Sequence, residues 1–354
     1  MIVPAGKPDQ GNKSVTLFVP GFTLHDIRQV VKLTGQKHSL SAVELLFSRG
    51  SYQRGNARSV EQVLFDLFNI PNTNNLEFPV GALTRYLVKG DTGIQKWAMR
   101  ADPVYIQPNR EQLVLLGNSG LDISLQDAER MVNDINSTYH DTAWQIAALT
   151  PRQWILEQDA VEQIQTHALN EVVGKNINSF LPAGAEEKKW RALMNELQMF
   201  LHAHPVNQQR QMQGLPVVNS LWFWGAGVLP APVTDSDKSF IQCWSGETIS
   251  LALSRLNNVP RRDLPEKAED WLKQAISPGH HLLVIEQLFN DIVKSDPLEW
   301  WQSFNEFVEQ WLTPLVAAIK QNTLEQINLV DSDGSCYQLT PRMSKRWWKW
   351  VERI

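Results

Sequence analysis

Cysteine is almost absent from the sequence: Cys243 and Cys336 are the only two among 354 residues. Two cysteines are too few for a disulfide framework or a zinc cluster, which favours a reducing compartment. No stretch approaches the roughly 18 consecutive apolar residues of a membrane span, and residues 1–14 carry no apolar core of signal-peptide length. These absences predict a soluble cytoplasmic protein without a membrane partner.

The sequence also lacks an excess of positive charge. Its formal net charge is −5, so nothing attracts it generally to nucleic acid, which is therefore disfavoured as a partner. The ending KRWWKWVERI does mix cations with aromatic side chains. A protein- or nucleic-acid-binding module that uses residues 343–354 is therefore one alternative. A terminal helix that packs its tryptophans on the body is the competing interpretation.

Tryptophan, by contrast, is abundant: there are 14, which indicates large buried surfaces and leaves room for a homodimer interface. Apolar β-branched runs such as 15–19 alternate with helical spacing such as 41–49, which predicts an α/β fold with a mainly parallel sheet and helices on both faces. Paired strands within 97–158 predict an inserted smaller lobe. We expect residues 1–95 and 206–354 to form the core domain and 96–205 the lobe.

The segment HAHPVNQQR (202–210) combines several residue types that bind ligands. His202 and His204 are two apart, a spacing that does not place both on one helix face. Pro205 ends the preceding helix, so a structural His204 would bond the last carbonyls of that helix. Arg210 offers a planar fork suited to phosphate or carboxylate; a solvated arginine is the other interpretation.

The longer stretch HAHPVNQQRQMQGLPVVNSLWFWGAG (202–227) resembles the HPVN-x-x-R-x-x-x-G…N…WG-x-G segment of archaeal-type, cofactor-independent phosphoglycerate mutases, of the alkaline phosphatase superfamily. ADPV, NELQMFLHAHPVN and NSLWFWGAG resemble still more closely a bacterial offshoot, the RpfE-type regulatory proteins. The resemblance covers most of the chain, weakly before residue 95 and after 230. It implies an alkaline-phosphatase-like fold whose inserted lobe holds the substrate.

The parent family moves a phosphoryl group through a serine nucleophile beside two divalent metals, and the resemblance places Ser59 at the nucleophile position. Val60 and Val63 then stand where the family has Asp and His. A serine without metal or base is a weak nucleophile. The first metal-binding Asp is also missing, because the strand at 15–19 runs into Pro20-Gly21, and Asp26 comes several residues too late.

The later metal ligands are incomplete as well. Asp291 and Asp331 stand where the family has aspartates, but neither has its histidine partner. His280 and His281 precede the strand that they would have to follow. A two-metal site needs several converging ligands, so we expect no metal and no cofactor.

The resemblance therefore predicts a phosphoglycerate-mutase-like, non-catalytic regulatory or interaction protein. Its expected partners are a small phosphorylated ligand and another protein. The expected ligand-binding residues share the inserted lobe and its border: Arg100, Arg152, His204, Asn207 and Arg210. The arginines could instead pair with local acids such as Asp102 and Glu157. The alternative function is an active mutase or phosphatase with relocated ligands, which would require Mn²⁺ or Zn²⁺.

Overall fold

The computed structural model of the protein describes residues 13–21, 23, 27, 41–57, 59–71, 77–90, 96–109, 112–286, 288 and 297–346. The chain divides into two compact units. The first comprises Met1–Pro71 and Pro232–Ile354, and the second comprises Asn72–Ala231. The second unit is thus inserted in the sequence of the first.

The described strands, in chain order, are β1 (Lys13–Phe18), β2 (Ser51–Gln53), β3 (Trp97–Asn109), β4 (Gln112–Gly117), β5 (Trp144–Thr150), β6 (Gln153–Gln158), β7 (Ser220–Gly227), β8 (Gln242–Trp244), β9 (Arg261–Arg262), β10 (Gly279–Val284), β11 (Gln326–Val330) and β12 (Cys336–Leu339).

The described α-helices are α1 (Ser41–Arg49), α2 (Val60–Leu67), α3 (Val80–Lys89), α4 (Leu125–Thr138), α5 (Leu169–Val172), α6 (Glu187–Ala203), α7 (Pro205–Met212), α8 (Thr248–Leu256), α9 (Ala268–Gln274), α10 (Pro297–Phe307), α11 (Thr313–Lys320) and α12 (Pro341–Ser344). No helix in the described part of the chain is both long and apolar enough to cross a membrane.

The first unit is built on a seven-stranded sheet in the order β2-β12-β11-β1-β10-β8-β9. The strands from β11 to β9 run parallel to their neighbours, and β12 and β2 are added antiparallel. Parallel strands buried on both faces are continuously apolar, as the fully buried Leu17 and Phe18 of β1 and Leu282 and Leu283 of β10 show.

Helices cover both faces of this sheet. On one face Val15, Leu17 and Leu329 join a core with residues of α1, α9, α10 and α11. On the other face α8 and α2 pack together, and Phe240 contacts both Phe68, just after α2, and His280 of β10. The predicted fold class, mixed α/β with a mostly parallel central sheet, is confirmed.

One predicted element differs in detail. The spacing of apolar residues over 299–321 predicts a single long helix, but a π-helical stretch, Val308–Leu312, separates α10 from α11. Pro314 lies just beyond it and has no amide hydrogen for an α-helical bond, which explains why the wider turn forms there.

The second unit contains an antiparallel sheet. Strand β3 is long enough to pair with β7 along one edge and with β6 and then β4 along the other, and β5 extends the sheet beyond β6. Helix α3 packs on β3 and β7. This approach requires glycine at position 81, because a Cβ there would lie 2.3 Å from the Cα of Met99.

The compact units divide at 71/72 and 231/232, whereas the predicted lobe spans 96–205. The packing of α3 and the pairing of β7 with β3 account for the difference, because both elements belong to the sheet of the inserted unit.

Candidate functional site

The carboxyl ends of the parallel strands in the first unit form the edge at which open α/β sheets bind ligands. β1 ends there in Val19-Pro20-Gly21, β8 in Ser245-Gly246-Glu247 and β10 in Ile285-Glu286. β11 continues into the turn 331–335 that leads to β12, with Asp333-Gly334 at its tip, as predicted for a hairpin. We call this region the sheet edge.

Asp331, one of the two aspartates that the resemblance places at late metal-ligand positions, lies buried at the sheet edge. Its Oδ1 accepts hydrogen bonds from the amides of Asp333 at 3.2 Å and Ser335 at 2.9 Å, so it stabilises its own turn. Burial raises the pKa of Asp331 to about 8, and the neighbouring carboxylate of Asp333 adds to the rise. The pKa of Asp333 is lowered, because hydrogen bonds from Asp331 and Ser335 outweigh its own burial.

Two serine hydroxyls of the same turn bind the neighbouring segments. Ser332 Oγ accepts the amide of Gly21 at 2.7 Å, which ties the end of β1 to this turn. Ser335 Oγ accepts the amide of Gly55 at 3.0 Å, and Ala57 N donates to the carbonyl of Asp333 at 2.9 Å.

Contact between the 54–57 segment and the turn is close as well as hydrogen-bonded. A Cβ at Gly55 would lie 2.2 Å from the carbonyl oxygen of Asp333. Glycine is therefore needed at position 55 for the two segments to meet.

Ser59, the predicted nucleophile position, is the N-cap of α2. Its Oγ accepts the amide of Gln62 at 3.3 Å and satisfies one of the free donors at the helix start. Val63 is fully buried in the core, so it supplies no group to activate the hydroxyl. Asp26 and Asp291 lie outside the described residues.

No group of three or more His, Cys, Asp or Glu side chains within the described ranges is arranged to hold a metal ion. His280 and His281 lie within β10 rather than before it, at the opposite end from the sheet edge. His280 Nε2 is 2.8 Å from Thr16 Oγ1, and His281 Nδ1 accepts from Trp244 Nε1 at 3.3 Å. Burial lowers the pKa of both histidines, that of His280 to about 4, so both are neutral interior groups.

Both cysteines are free thiols. Burial raises the pKa of Cys243 and of Cys336 to about 12, so neither is a ready nucleophile at neutral pH.

Sequence reasoning missed Glu247 and Glu286, which follow β8 and β10. Glu247 is the N-cap of α8, with its carboxylate accepting the amides of Ile249 at 2.7 Å and Ser250 at 2.6 Å. Burial raises its pKa to about 7, and the charge of Glu286 contributes to that shift. A glutamate directly before Thr-Ile-Ser, after a strand, is the signal that could have revealed this cap.

The HPVN segment of the inserted unit comprises residues 204–207. Its polar side chains make hydrogen bonds to other residues of the same unit. His204 separates α6 from α7 and is the N-cap of α7, where its Nδ1 accepts the amide of Val206 at 3.2 Å. Its Nε2 lies 3.1 Å from Asp134 Oδ2. A structural His204 was expected to bond the last carbonyls of the preceding helix, and this detail is wrong. Its side chain instead accepts a backbone amide of the following helix, α7.

Asn207 and Arg210 hold the segment that leads into β7. Asn207 Nδ2 donates to the carbonyls of Leu201 and Val218, both at 2.7 Å, and its Oδ1 accepts the amide of Val218 at 2.9 Å. Arg210 Nε donates to Pro216 O at 2.8 Å and Nη1 to Asp122 O at 2.9 Å. Arg210 is 4% exposed, which leaves its guanidinium little access to a ligand.

Arg100 and Arg152 lie in different surroundings. Arg100 is buried on β3, donates through Nε and Nη2 to Asp102 Oδ1 at 3.0 and 2.6 Å, and stands over the ring of Trp224. Arg152 is exposed in the β5–β6 turn, with a 3.5 Å contact to Ser119 O. Glu157 pairs with Arg85 and Lys89. Arg100 is thus paired with Asp102, and no common site of the three arginines is formed by the contacts of the described residues.

Parts of the chain are similar in sequence to known phosphoglycerate mutases. No protein-family model matches the chain. A probable 2,3-bisphosphoglycerate-independent phosphoglycerate mutase of Geobacter sulfurreducens is 25% identical over 142 residues, which is 40% of this chain and 36% of that protein. The corresponding mutase of Methanosarcina barkeri is 36% identical over 61 residues, 17% of this chain and 15% of that protein. The matched segments therefore span well under half of these relatives.

Solved structures extend the comparison to the fold as a whole. The PH0037 protein of Pyrococcus horikoshii superposes over 92% of this chain and 86% of its own with a TM-score of 0.57 at 12% identity. A cofactor-independent phosphoglycerate mutase of Thermoplasma acidophilum aligns over 93% of the chain at a TM-score of 0.45 and 15% identity. The chain therefore shares the fold of the PH0037 protein, and parts of it are similar in sequence to phosphoglycerate mutases.

Proposed function

We propose that this protein is a non-catalytic relative of phosphoglycerate mutases that acts as a regulatory or interaction protein of the RpfE type. The observation that carries the proposal is the hydrogen bonding at the sheet edge. In the resembled family the segments after the first and the late strands hold metal ions. Here Ser332 and Gly21 join two of those segments directly, at 2.7 Å.

An oxygen of Asp331 that could bind a metal already accepts hydrogen bonds within the protein. Asp331 Oδ1 receives two backbone amides of its own turn. A carboxylate that binds a metal must be deprotonated and must present a lone pair outward. The turn instead uses this oxygen to hold its own conformation, which supports the loss of the metal centre.

The position of Ser59 supports the same conclusion. Its hydroxyl is the N-cap acceptor of α2, and a serine nucleophile needs an adjacent base, a metal or a lowered pKa. The two side chains at the family's Asp and His positions, Val60 and Val63, have no ionisable group.

The test is metal content together with turnover. Full-length protein is purified without chelator, dialysed against Mn²⁺ and then Zn²⁺, and measured by mass spectrometry, with the Methanosarcina barkeri mutase treated in parallel. We expect less than one metal per chain and no mutase or phosphatase turnover above that of Ser59→Ala. Two retained metals per chain, with turnover lost in Ser59→Ala, would establish the competing function of an active mutase or phosphatase.

Without turnover, the protein would act by binding. Its proposed partners are a small phosphorylated ligand and a protein in the cytoplasm, and the homodimer is a further proposal. Light scattering after size-exclusion chromatography gives the oligomeric state: a mass near twice the 40.4 kDa of the chain supports the dimer, and a mass near that of one chain opposes it.

A further inference from the structure

The inserted unit exposes a stretch of chain that carries almost no charge. Between Glu196 and Asp235 the sequence has a single Lys, Arg, Asp or Glu, namely Arg210, although these types make up 20% of the whole chain. Strand β7 accounts for the second half of the stretch, because it is buried. The first half, 205–216, is mostly exposed, and charged side chains normally occupy such positions.

The exposed residues of 208–216, which we call the uncharged face, belong to the end of α7 and the turn after it. Met212 is 82% exposed and Leu215 39%. Methionine is enriched and charge is depleted at the centres of protein interfaces, and the flexible methionine side chain adapts to a partner. Four exposed glutamines complete the face: Gln208, Gln209, Gln211 and Gln213. A glutamine amide both donates and accepts, so it can form hydrogen bonds with a copy of itself.

Backbone and side-chain bonds hold the uncharged face in one conformation. Gly214, with a φ of 70°, ends α7, and the amide of Leu215 turns back to the carbonyl of Arg210 at 2.9 Å. The buried guanidinium of Arg210 fixes the same turn through the carbonyls of Pro216 and Asp122, at 2.8 and 2.9 Å. The face is therefore preformed, which lowers the entropy that binding would cost.

We propose that the uncharged face is the contact between two copies of this chain, related by a two-fold axis. In such a contact a side chain near the axis lies against its own copy, so a charged residue there would meet a like charge. Two chains that each carry a net charge of −5 also repel each other in general. A face of glutamine, methionine and leucine avoids this local repulsion and is self-complementary. The inference rests on the homodimer of the proposed function and assigns its interface.

The first experiment uses the wild-type chain, so it does not depend on the folding of a variant. Hydrogen peroxide oxidises accessible methionines to sulfoxides, and mass spectrometry gives the rate at each position over a range of protein concentrations. Met199, which is 75% exposed on α6, is the internal control for Met212. We expect the two rates to be similar in dilute protein and that of Met212 to fall several-fold below that of Met199 as the dimer forms. Equal rates at every concentration would overturn the proposal.

The second experiment measures the mass of full-length variants by light scattering after size-exclusion chromatography. Met212→Glu places two carboxylates across the axis from each other, and Met212→Lys places two ammonium groups there. We expect each substitution to weaken the dimer about tenfold or more, because like charges at close range repel. A mixture of the two variants should dimerise again, since opposite charges then meet. Ile276→Glu, at a position 85% exposed in the first unit, is the control and should leave the dimer unchanged.

The outcomes separate this inference from the rest of the proposed function. A monomeric wild type would overturn it and leave the uncharged face to a different protein, while the metal and turnover measurements would still decide the loss of catalysis. A wild-type dimer that survives both Met212 substitutions would place the interface elsewhere. Equal weakening by Ile276→Glu, or no recovery in the mixture, would contradict a two-fold contact at Met212. Urea unfolding of each variant checks that it has kept the wild-type fold.

Discussion

Ser332 Oγ accepts the backbone amide of Gly21 at 2.7 Å, although the two residues lie 311 positions apart in the chain. The bond joins the end of β1 to the turn after β11, the neighbouring strand of the parallel sheet. Ser335 and Gly55 make a second such bond at 3.0 Å. Hydrogen bonds of the protein itself therefore connect the segments of the sheet edge.

The bond between Ser332 and Gly21 leads to a prediction. Ser332→Ala removes the acceptor and leaves a buried amide unsatisfied, which costs about 1–3 kcal/mol. We expect the free energy of unfolding in urea to fall by that amount and hydrogen exchange around residue 21 to accelerate. Ser236→Ala, at an exposed serine of the same unit, should change neither quantity. Unchanged exchange at residue 21 in Ser332→Ala would show that the bond does not hold β1.

Asp331 should make stability depend on pH. The pKa of an unperturbed aspartate is about 3.9, and burial raises that of Asp331 to about 8 in the folded protein. Between these values the folded state binds more protons than the unfolded state, so its stability falls as pH rises, by at most about 1.4 kcal/mol per pH unit for this group. Below pH 4 Asp331 is protonated in both the folded and the unfolded state, so it no longer makes the stability depend on pH.

Asp331→Asn keeps an oxygen acceptor for the amides of Asp333 and Ser335 but removes the ionisation. Urea unfolding at pH 4, 6 and 8 should therefore show a shallower loss of stability for this variant than for the wild type, with the variant the more stable at pH 8. Asp141→Asn, at an exposed position, is the control. Equal slopes for wild type and Asp331→Asn would mean that Asp331 is already ionised in the folded protein.

Much of the first unit could be predicted from local patterns. The strand at 15–19, the helix at 41–49 and the Asp333-Gly334 turn all depend on apolar periodicity or on turn residues close in sequence, and the structure confirms them. The π-helical stretch around Val308–Leu312 was not predicted, because apolar spacing does not show where a helix must widen ahead of a proline.

The site was harder to predict because its contacts are non-local. The bond between Gly21 and Ser332, and the contact of Gly55 with Asp333, join positions that no sequence pattern connects. The HPVN segment has the reverse difficulty. Its residue types suggest ligand binding, but Asn207 makes its hydrogen bonds to Leu201 and Val218, within 11 positions.

Substitution of Asn207 tests whether this residue binds a ligand or only stabilises the HPVN segment. Asn207→Ala removes three buried hydrogen bonds and leaves the carbonyls of Leu201 and Val218 without this donor. We expect a loss of about 2–4 kcal/mol in the free energy of unfolding. Gln208→Ala, at the neighbouring exposed position, should cost far less. A ligand-binding Asn207 would instead leave stability unchanged and alter only affinity for phosphorylated molecules.

The pair Arg100–Asp102 is predicted to be structural. Asp102 is fully buried, and its Oδ2 also accepts Trp224 Nε1 at 2.8 Å. Asp102→Asn leaves the Arg100 guanidinium buried without its counter-charge, at a cost of about 3–5 kcal/mol. The double variant Arg100→Met, Asp102→Leu should recover most of that loss, because apolar residues can replace a buried pair with little change in stability. Additive losses in the double variant, measured by urea unfolding, would contradict the pairing.

Two substitutions of Ser59 distinguish a helix-capping role from a nucleophilic one. Ser59→Ala deletes the acceptor for the amide of Gln62 and should cost about 1 kcal/mol. Ser59→Asp supplies a side-chain oxygen that caps a helix as well as serine does and adds a negative charge at the positive end of the helix dipole. Ser59→Asp should therefore match or exceed the wild-type free energy of unfolding, as measured in urea at pH 7.

A catalytic serine would give a different pattern in the same pair of variants. Both substitutions would remove the nucleophile, so turnover of phosphoglycerate or of a phosphate monoester would vanish in Ser59→Ala and in Ser59→Asp alike. For a cap, Ser59→Ala is the less stable of the two and neither changes turnover, because Val60 and Val63 provide no group to activate the hydroxyl. Equal stabilities of the two variants, combined with a shared loss of activity, would assign Ser59 to chemistry and overturn its assignment as a helix cap alone.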